Sequence, residues 1–176
     1  MKKVLLGAAL LPLSVIATLQ TANASDGTIQ FNGSIVDSPC VISSESKNQE
    51  VDMGAVKSST FAATGDKSTA APFQIKLEEC DLTAGKTKVN VVFNGIGDDD
   101  DTSLLSVDNG AGSATGVGIG IFDAKGQAIS LNEGASLEDL TEGNTTLNYD
   151  ARYVSTKDAV TIGSANGQVD FSLTYE

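Results

Sequence analysis

Both ends of the chain alternate between apolar and polar residues, and this alternation is the feature that most constrains the fold. Residues 169–176 read Val-Asp-Phe-Ser-Leu-Thr-Tyr-Glu, and residues 29–35 read Ile-Gln-Phe-Asn-Gly-Ser-Ile. Successive side chains of a β-strand point to opposite faces, so each pattern predicts a strand with one buried face. Two such strands at opposite ends of a small chain suggest pairing at sheet edges, and therefore assembly rather than catalysis.

The first 24 residues are typical of a secretory signal peptide. Two lysines precede an apolar stretch over residues 4–13, and a small-residue cleavage motif ends at Ala24. A membrane anchor is the alternative interpretation, but the apolar stretch is short and a proline interrupts it. We therefore predict export, removal of residues 1–24, and a mature chain that begins near Ser25 and forms one domain.

The mature chain is strongly acidic. The full sequence has 11 basic and 23 acidic residues and a formal net charge of −12. Removing residues 1–24 takes away two lysines and no acids, which leaves 9 against 23 and a charge of −14. Such a charge disfavours binding to nucleic acid or to an anionic membrane surface, so neither is expected as a partner.

The residue types offer little for catalysis. The chain has no histidine, which removes the usual general base near neutral pH and the imidazole ligands of most zinc and copper sites. The run Asp98–Asp101 supplies oxygen atoms that suit calcium, but the EF-hand positions for glycine and glutamate hold Ser103 and Asn109. We interpret the run as a solvated loop and leave open whether it binds a cation. No catalytic, cofactor-binding or metal-binding residues are predicted.

Cys40 and Cys80 are the only cysteines. In an exported chain an isolated pair predicts a disulfide bond, and the lack of Cys-x-x-Cys spacing argues against a redox role. The bond would close a loop of about 40 residues and contribute roughly 4 kcal/mol to stability.

Short alternating or β-branched runs recur between clusters of Gly, Asn, Asp and Ser, which predicts an all-β sandwich. Turns are predicted at residues 123–127 and 166–167, and residues 131–140 are compatible with a turn of helix. The predicted strands cover residues 28–36, 40–42, 49–53, 73–79, 88–94, 103–107, 117–122, 128–131, 145–154 and 168–175.

Four segments together resemble chaperone–usher pilins, and most of all the structural subunits of type 1 and P pili. These are residues 27–40, 73–80, 151–153 and 171–175, in this order along the mature chain. The resemblance implies an incomplete immunoglobulin-like sandwich that lacks its last strand and leaves a groove open over the core. It also implies that a periplasmic chaperone fills this groove first, and that the N-terminal arm of the next subunit replaces it in the fibre.

The resemblance implies a donor-strand arm over residues 25–36 and a pilin domain over residues 37–176. In the arm, the side facing a neighbour's groove would consist of Ile29, Phe31, Gly33 and Ile35, with the glycine against a shallow pocket. An ordinary strand bulge is the alternative interpretation of the glycine. Few residues precede this strand, whereas many major subunits carry a longer arm, so a minor or adaptor subunit remains an alternative.

The tail would form the edge strand of the groove, which the chaperone binds. Its core-facing residues would be Val169, Phe171, Leu173 and Tyr175. Gly163 is fourteenth from the C-terminus, where the family usually has a glycine. The resemblance also implies a disulfide between the first two strands of the sandwich, which matches the two cysteines.

We hypothesise a fimbrial structural subunit that is exported through the periplasm and polymerises on the bacterial surface to support adhesion. Its expected partners are neighbouring pilin subunits, a periplasmic chaperone and an outer-membrane usher. The rival from another class is a self-contained secreted sandwich that binds sugar, which requires a complete sheet. A hydrolase built on a pair of carboxylates is the third alternative.

Overall fold

The computed structural model describes residues 26–33, 35, 38–134 and 137–176. The chain divides into two units, residues 1–35 and 36–176. The predicted signal peptide lies outside the described residues. In the first unit, residues 28–33 and 35 belong to no strand, although the alternation predicts one over residues 28–36.

The second unit is built almost entirely of strands. One helical turn, α1 (Ser44–Lys47), and two 3-10 turns, Ser58–Thr60 and Leu82–Ala84, interrupt them in the described residues. No helix in the described ranges is long and apolar enough to cross a membrane. The strands are β1 (Val41–Ile42), β2 (Ala71–Cys80), β3 (Lys88–Asn94), β4 (Leu105–Ser106), β5 (Val117–Asp123), β6 (Ala128–Ile129), β7 (Glu138–Asp139), β8 (Gly143–Ser155) and β9 (Asp170–Tyr175).

These strands form two antiparallel sheets. The first has the order β1-β2-β8-β5-β4, and β6 also pairs with β5. The second has the order β7-β3-β9. The all-β prediction is confirmed, and β3 has the bounds that its alternating sequence predicts.

One hydrophobic core lies between the sheets. The ring of Phe93 on β3 packs edge-on against Phe73 of β2 and Tyr149 of β8, with ring centroids 6.1 and 5.2 Å apart. Edge-to-face pairs at such distances are favourable for aromatic quadrupoles, so these three rings join the two sheets. Along β8 every second residue from Thr145 to Ala151 is buried, as expected for a strand with one face on the core.

The disulfide between Cys40 and Cys80 forms as predicted. It joins the segment before β1 to the end of β2. The pairing register of β2 shifts between Leu77 and Cys80, where Glu79 has a φ of 52°. This bulge inserts one residue, and it returns the Cys80 side chain to the buried face.

The strand predicted over residues 49–53 is wrong, because the structure has no strand there. Two side chains occupy the adjacent edge of β2 instead. The Lys76 N–H donates to Ser46 Oγ (2.9 Å), and Gln49 Nε2 donates to the Gln74 carbonyl (2.7 Å). These bonds take the backbone groups that a neighbouring strand would use, so the chain beyond α1 leaves the sheet.

The helical turn suggested over residues 131–140 is also wrong in the part that the structure describes. That part contains β7, which pairs with β3, and an isolated bridge between Gly134 and Val92. Leu131 and Leu140 are both buried. Leu131 and Leu140 therefore fix the two ends of this connecting segment to the core, instead of forming the apolar face of a helix.

Candidate functional site

A groove of about 1350 Å³ opens over the hydrophobic core of the second unit. One wall consists of residues 46–54 and the opposite wall of residues 165–171. Ile75 and Phe93 on the floor keep only 1% and 2% of their surface exposed, so these two side chains are already buried. The floor is formed by side chains of both sheets: Phe73, Ile75, Phe93, Leu105, Ile119, Ile121, Ala151 and Tyr153.

Strand β9 continues the second wall and has one unpaired edge. It pairs with β3 from Asn94↔Asp170 to Val89↔Tyr175. Among the described residues no strand pairs with its other edge. Its backbone groups on that side are therefore available to an added strand.

The four predicted tail residues lie on one side of this segment. Val169, Phe171, Leu173 and Tyr175 are half-buried and pack against the core, and the polar residues between them are exposed. The alternating sequence thus places the apolar row toward the core, as a strand at the rim of an open groove requires.

Gly163 lies just before the second wall and is not among the groove-lining residues. Its backbone passes so close to residues 112–114 that a Cβ atom would overlap the nitrogen of Ala114 and the carbonyl carbon of Ser113. The next residue, Ser164, donates its N–H to the Gly112 carbonyl (3.0 Å). Close backbone approach therefore requires glycine here.

Tyr153 is a groove residue for which the sequence predicts no specific role. Its hydroxyl donates a hydrogen bond to the Ala165 carbonyl (2.7 Å), which fixes the start of the second wall over the floor. Burial, followed by the nearby Asp52 carboxylate, raises the pKa of this hydroxyl. Tyr153 lies in one of the segments that resemble pilins, but nothing local shows that its hydroxyl bonds a residue twelve positions later.

The groove walls carry mainly negative charge. Glu50 and Asp52 lie on the first wall and Asp170 on the second, against one cation, Lys47. A ligand that enters this groove is therefore favoured when its own side chains are apolar or uncharged.

In the first unit, the predicted donor residues are exposed. Ile29, Phe31 and Ile35 have 80%, 90% and 104% of their surface accessible. A Cβ atom added to Gly33 would meet nothing within 4 Å. The surroundings of Gly33 thus do not require glycine, so any such requirement comes from a partner. Ser25, Ser34 and Val36 of the predicted arm lie outside the described residues.

The acidic run forms a loop whose carboxylates bond their own backbone. Asp98 accepts from the Asp100 N–H (3.0 Å), and Asp101 accepts from the Ser103 N–H (3.0 Å). Lys157 forms an ion pair with Asp100 (2.9 Å). No group of three or more His, Cys, Asp or Glu side chains in the described ranges is arranged to hold a metal ion.

The sequence profile of the family described as fimbrial protein matches residues 29–176. This chain belongs to the fimbrial protein family. Long polar fimbria protein A of Salmonella typhimurium is 55% identical over 177 residues, which cover 100% of this chain and 98% of that protein. The probable major fimbrial subunit LpfA of Escherichia coli O157:H7 is 52% identical over 176 residues, which cover 100% of this chain and 98% of that protein.

Solved structures of pilus subunits share the fold of this pilin. A chain from the structure of a chaperone–usher pilus, determined to explain rod uncoiling, is 29% identical with a TM-score of 0.72, covering 89% of this chain and 99% of that chain. The P pilus rod subunit PapA is 27% identical with a TM-score of 0.67, and the match covers 79% of this chain and 100% of PapA. The predicted incomplete immunoglobulin-like sandwich is confirmed, and the chain is a structural subunit of cell-surface fimbriae that assembles with neighbouring pilins.

Proposed function

We propose that this pilin forms the rod of a fimbria by inserting its N-terminal arm, residues 25–36, into the groove of the next subunit. The groove is the observation that carries the proposal, because an apolar channel beside an unpaired strand edge is filled by strand addition. Similarity to a probable major fimbrial subunit and to the P pilus rod subunit favours the rod over a minor or adaptor position.

The arm and the groove match in period and length. The exposed apolar residues of the arm recur every second position, as do the residues of β9 beside the groove. Residues 28–35 span roughly 27 Å at about 3.4 Å per residue. The rim formed by residues 165–175 spans roughly 37 Å on the same basis, so the arm fits within it.

Burial of the three apolar side chains is not enough by itself to hold the arm in the groove. Burying Ile29, Phe31 and Ile35 contributes about 1.5–3 kcal/mol each, or roughly 5–9 kcal/mol together. Ordering the backbone of eight residues costs about 8–16 kcal/mol, so side chains alone do not suffice. Ladder hydrogen bonds to β9, at about 0.5–1.5 kcal/mol each, and exclusion of water from the core must supply the rest. Dissociation loses all these contacts together, which makes the joint kinetically persistent.

The same groove needs a cover before assembly, because half-buried apolar side chains such as Phe73, Val169 and Phe171 and a free strand edge promote aggregation. In this proposal residues 1–24 direct export, and a periplasmic chaperone adds its own strand along Val169, Phe171, Leu173 and Tyr175. An outer-membrane usher then exchanges the chaperone strand for the arm of the next subunit. The role is mechanical and adhesive, without catalysis.

The test compares the intact mature chain with a variant that lacks residues 25–35, each co-expressed with a pilus chaperone. Both forms should bind the chaperone one-to-one, and only the intact form should build detergent-resistant polymers. The shortened form should also bind a synthetic arm peptide one-to-one, whereas a peptide carrying Gly33→Leu should not bind. Stable monomers that bind neither chaperone nor peptide would contradict the proposal.

A further inference from the structure

The chain contains four asparagines that are followed directly by glycine, and each such residue pair is called an Asn-Gly step below. An asparagine in this position undergoes spontaneous deamidation. The backbone nitrogen of the glycine loses its proton and attacks the side-chain carbonyl carbon of the asparagine. A C–N bond forms, the side-chain nitrogen leaves as ammonia, and the ring product is a succinimide. Water then opens either imide bond and gives aspartate or isoaspartate. The four steps are Asn32-Gly33, Asn94-Gly95, Asn109-Gly110 and Asn166-Gly167.

The folded domain restrains the backbone at Asn94-Gly95 and at Asn166-Gly167. The Asn94 carboxamide donates to Ser172 Oγ (3.2 Å), and the attacking N–H of Gly95 is itself bonded to Asn132 Oδ1 (3.1 Å). Asn166 and Gly167 are exposed, but the Asn166 carbonyl accepts from the Asp108 N–H (2.8 Å) and a Cβ added to Gly167 would lie 2.9 Å from Ile119, so their backbone is held in place. Ring closure at these positions requires local opening of the fold, which slows it by the free energy of that opening.

The step in the arm has no such restraint. Asn32 is exposed, and no hydrogen bond to its carboxamide or to the Gly33 N–H is present within the described residues. Gly33 has no neighbour within 4 Å of a Cβ position. Glycine gives the backbone the freedom that ring closure needs. Asn109-Gly110 is intermediate, since both residues are exposed but the Gly110 carbonyl accepts from the Ser113 N–H (3.1 Å) in a turn.

We propose that Asn32 is a deamidation site that inactivates subunits left unassembled. This inference rests on the arm being the donor strand. Isoaspartate adds one backbone carbon between Phe31 and Gly33. Because strand side chains have a period of two, the residues before and after this carbon can no longer face the groove together. A docked arm is held in a ladder and cannot close the ring, so assembly protects Asn32.

The aspartate product has a weaker effect of a different kind. It keeps the backbone register and adds a carboxylate beside a groove whose walls already carry Glu50, Asp52 and Asp170. Asn32 lies on the face of the arm opposite to the donor residues, so this repulsion is exposed to solvent. Added salt should relieve it, whereas salt should not restore a register broken by isoaspartate.

The experiment ages the intact subunit in complex with its chaperone, at neutral and at mildly alkaline pH, and follows all four steps by peptide mapping. Asn32 should convert at least about tenfold faster than Asn94 or Asn166, which corresponds to about 1.4 kcal/mol of opening free energy in the domain. Conversion should accelerate at the higher pH, because the attacking nitrogen must lose its proton. In assembled fibres Asn32 should convert much more slowly.

The aged subunits are then allowed to polymerise. Isoaspartate at position 32 should be depleted from the polymer and enriched in the unassembled remainder. Asn32→Gln, which closes the corresponding ring far more slowly, should assemble equally before and after ageing, and Asn32→Asp should assemble less well at low salt only. Equal conversion at Asn32 and Asn94, or equal isoaspartate in polymer and remainder, would overturn the inference. Polymerisation by a variant lacking residues 25–35 would refute the donor-strand role instead, while the rate at Asn32 would still test the chemistry.

Discussion

Two tyrosines on β8 provide a matched test of the hydrogen bonding around the groove. Tyr149 is buried with 3% of its surface exposed, and its hydroxyl has no hydrogen-bond partner among the described residues. The hydroxyl of Tyr153 donates to the Ala165 carbonyl on the groove wall. Replacing each tyrosine by phenylalanine removes a hydroxyl group, which has no hydrogen-bond partner at Tyr149 and has one at Tyr153.

The two substitutions should change stability in opposite directions. A buried polar group without a partner costs about 1–3 kcal/mol, so Tyr149→Phe should raise the free energy of unfolding by about 1 kcal/mol while keeping its ring contacts with Phe73 and Phe93. Tyr153→Phe loses the hydrogen bond to Ala165 and should lower the free energy of unfolding by about 1 kcal/mol. At roughly 3 °C per kcal/mol for a domain of this size, the two melting temperatures should differ by about 6 °C.

Thermal and urea unfolding of subunits whose groove is filled by the arm peptide measures both effects.

The dependence of stability on pH gives a second readout. Burial raises the pKa of Tyr149 above its ordinary value of 10.0, so above that pH the unfolded chain loses a proton that the folded chain keeps. Stability therefore falls as pH rises through this range, and Tyr149→Phe should reduce the fall. A loss of stability in Tyr149→Phe would refute the reasoning and would indicate a bound water in the adjacent cavity of about 100 Å³.

Three further substitutions test the arm, the disulfide and the backbone approach. Gly33→Leu should abolish polymerisation while the subunit still binds the chaperone one-to-one, and normal fibres would disprove the assigned register. Cys40→Ser should cost about 2–5 kcal/mol and reduce the periplasmic yield, measured by immunoblot against the unsubstituted chain. Gly163→Ala should destabilise the domain by about 1–3 kcal/mol, because its Cβ would overlap the backbone at residues 113–114. Gly110→Ala, where an added Cβ meets only Ser113 Oγ at 3.9 Å, is the control and should leave the urea midpoint nearly unchanged.

Sequence patterns predicted most of the fold where a strand has its partners within the chain. β3 and β9 alternate strongly, and they pair with each other over the residues that the alternation indicates. The disulfide also followed from composition and compartment. The Tyr153 hydrogen bond to Ala165 and the backbone contact at Gly163 could not be predicted, because each depends on how distant loops approach each other in three dimensions.

The groove itself could not be derived from local patterns. β9 alternates in the same way whether one or both of its edges are paired, and only the strand order of the sheet shows that one edge is free. The alternation therefore predicts that its four apolar residues share one face, whereas their function follows only from the resemblance to pilins. Whether the chaperone and the arm bind there remains a prediction.

Two predicted strands are absent from the described residues, and both absences have one physical cause. Residues 28–36 and residues 49–53 both alternate in the manner of a strand, and Val51 and Met53 are half-buried on either side of an exposed Asp52. A strand needs a ladder of backbone hydrogen bonds as well as an apolar face, and neither segment pairs with a strand among the residues that the structure describes. One of these segments is a wall of the groove, and the other is the arm proposed to fill it. Their alternation is therefore explained if the missing partner of each is supplied by another subunit.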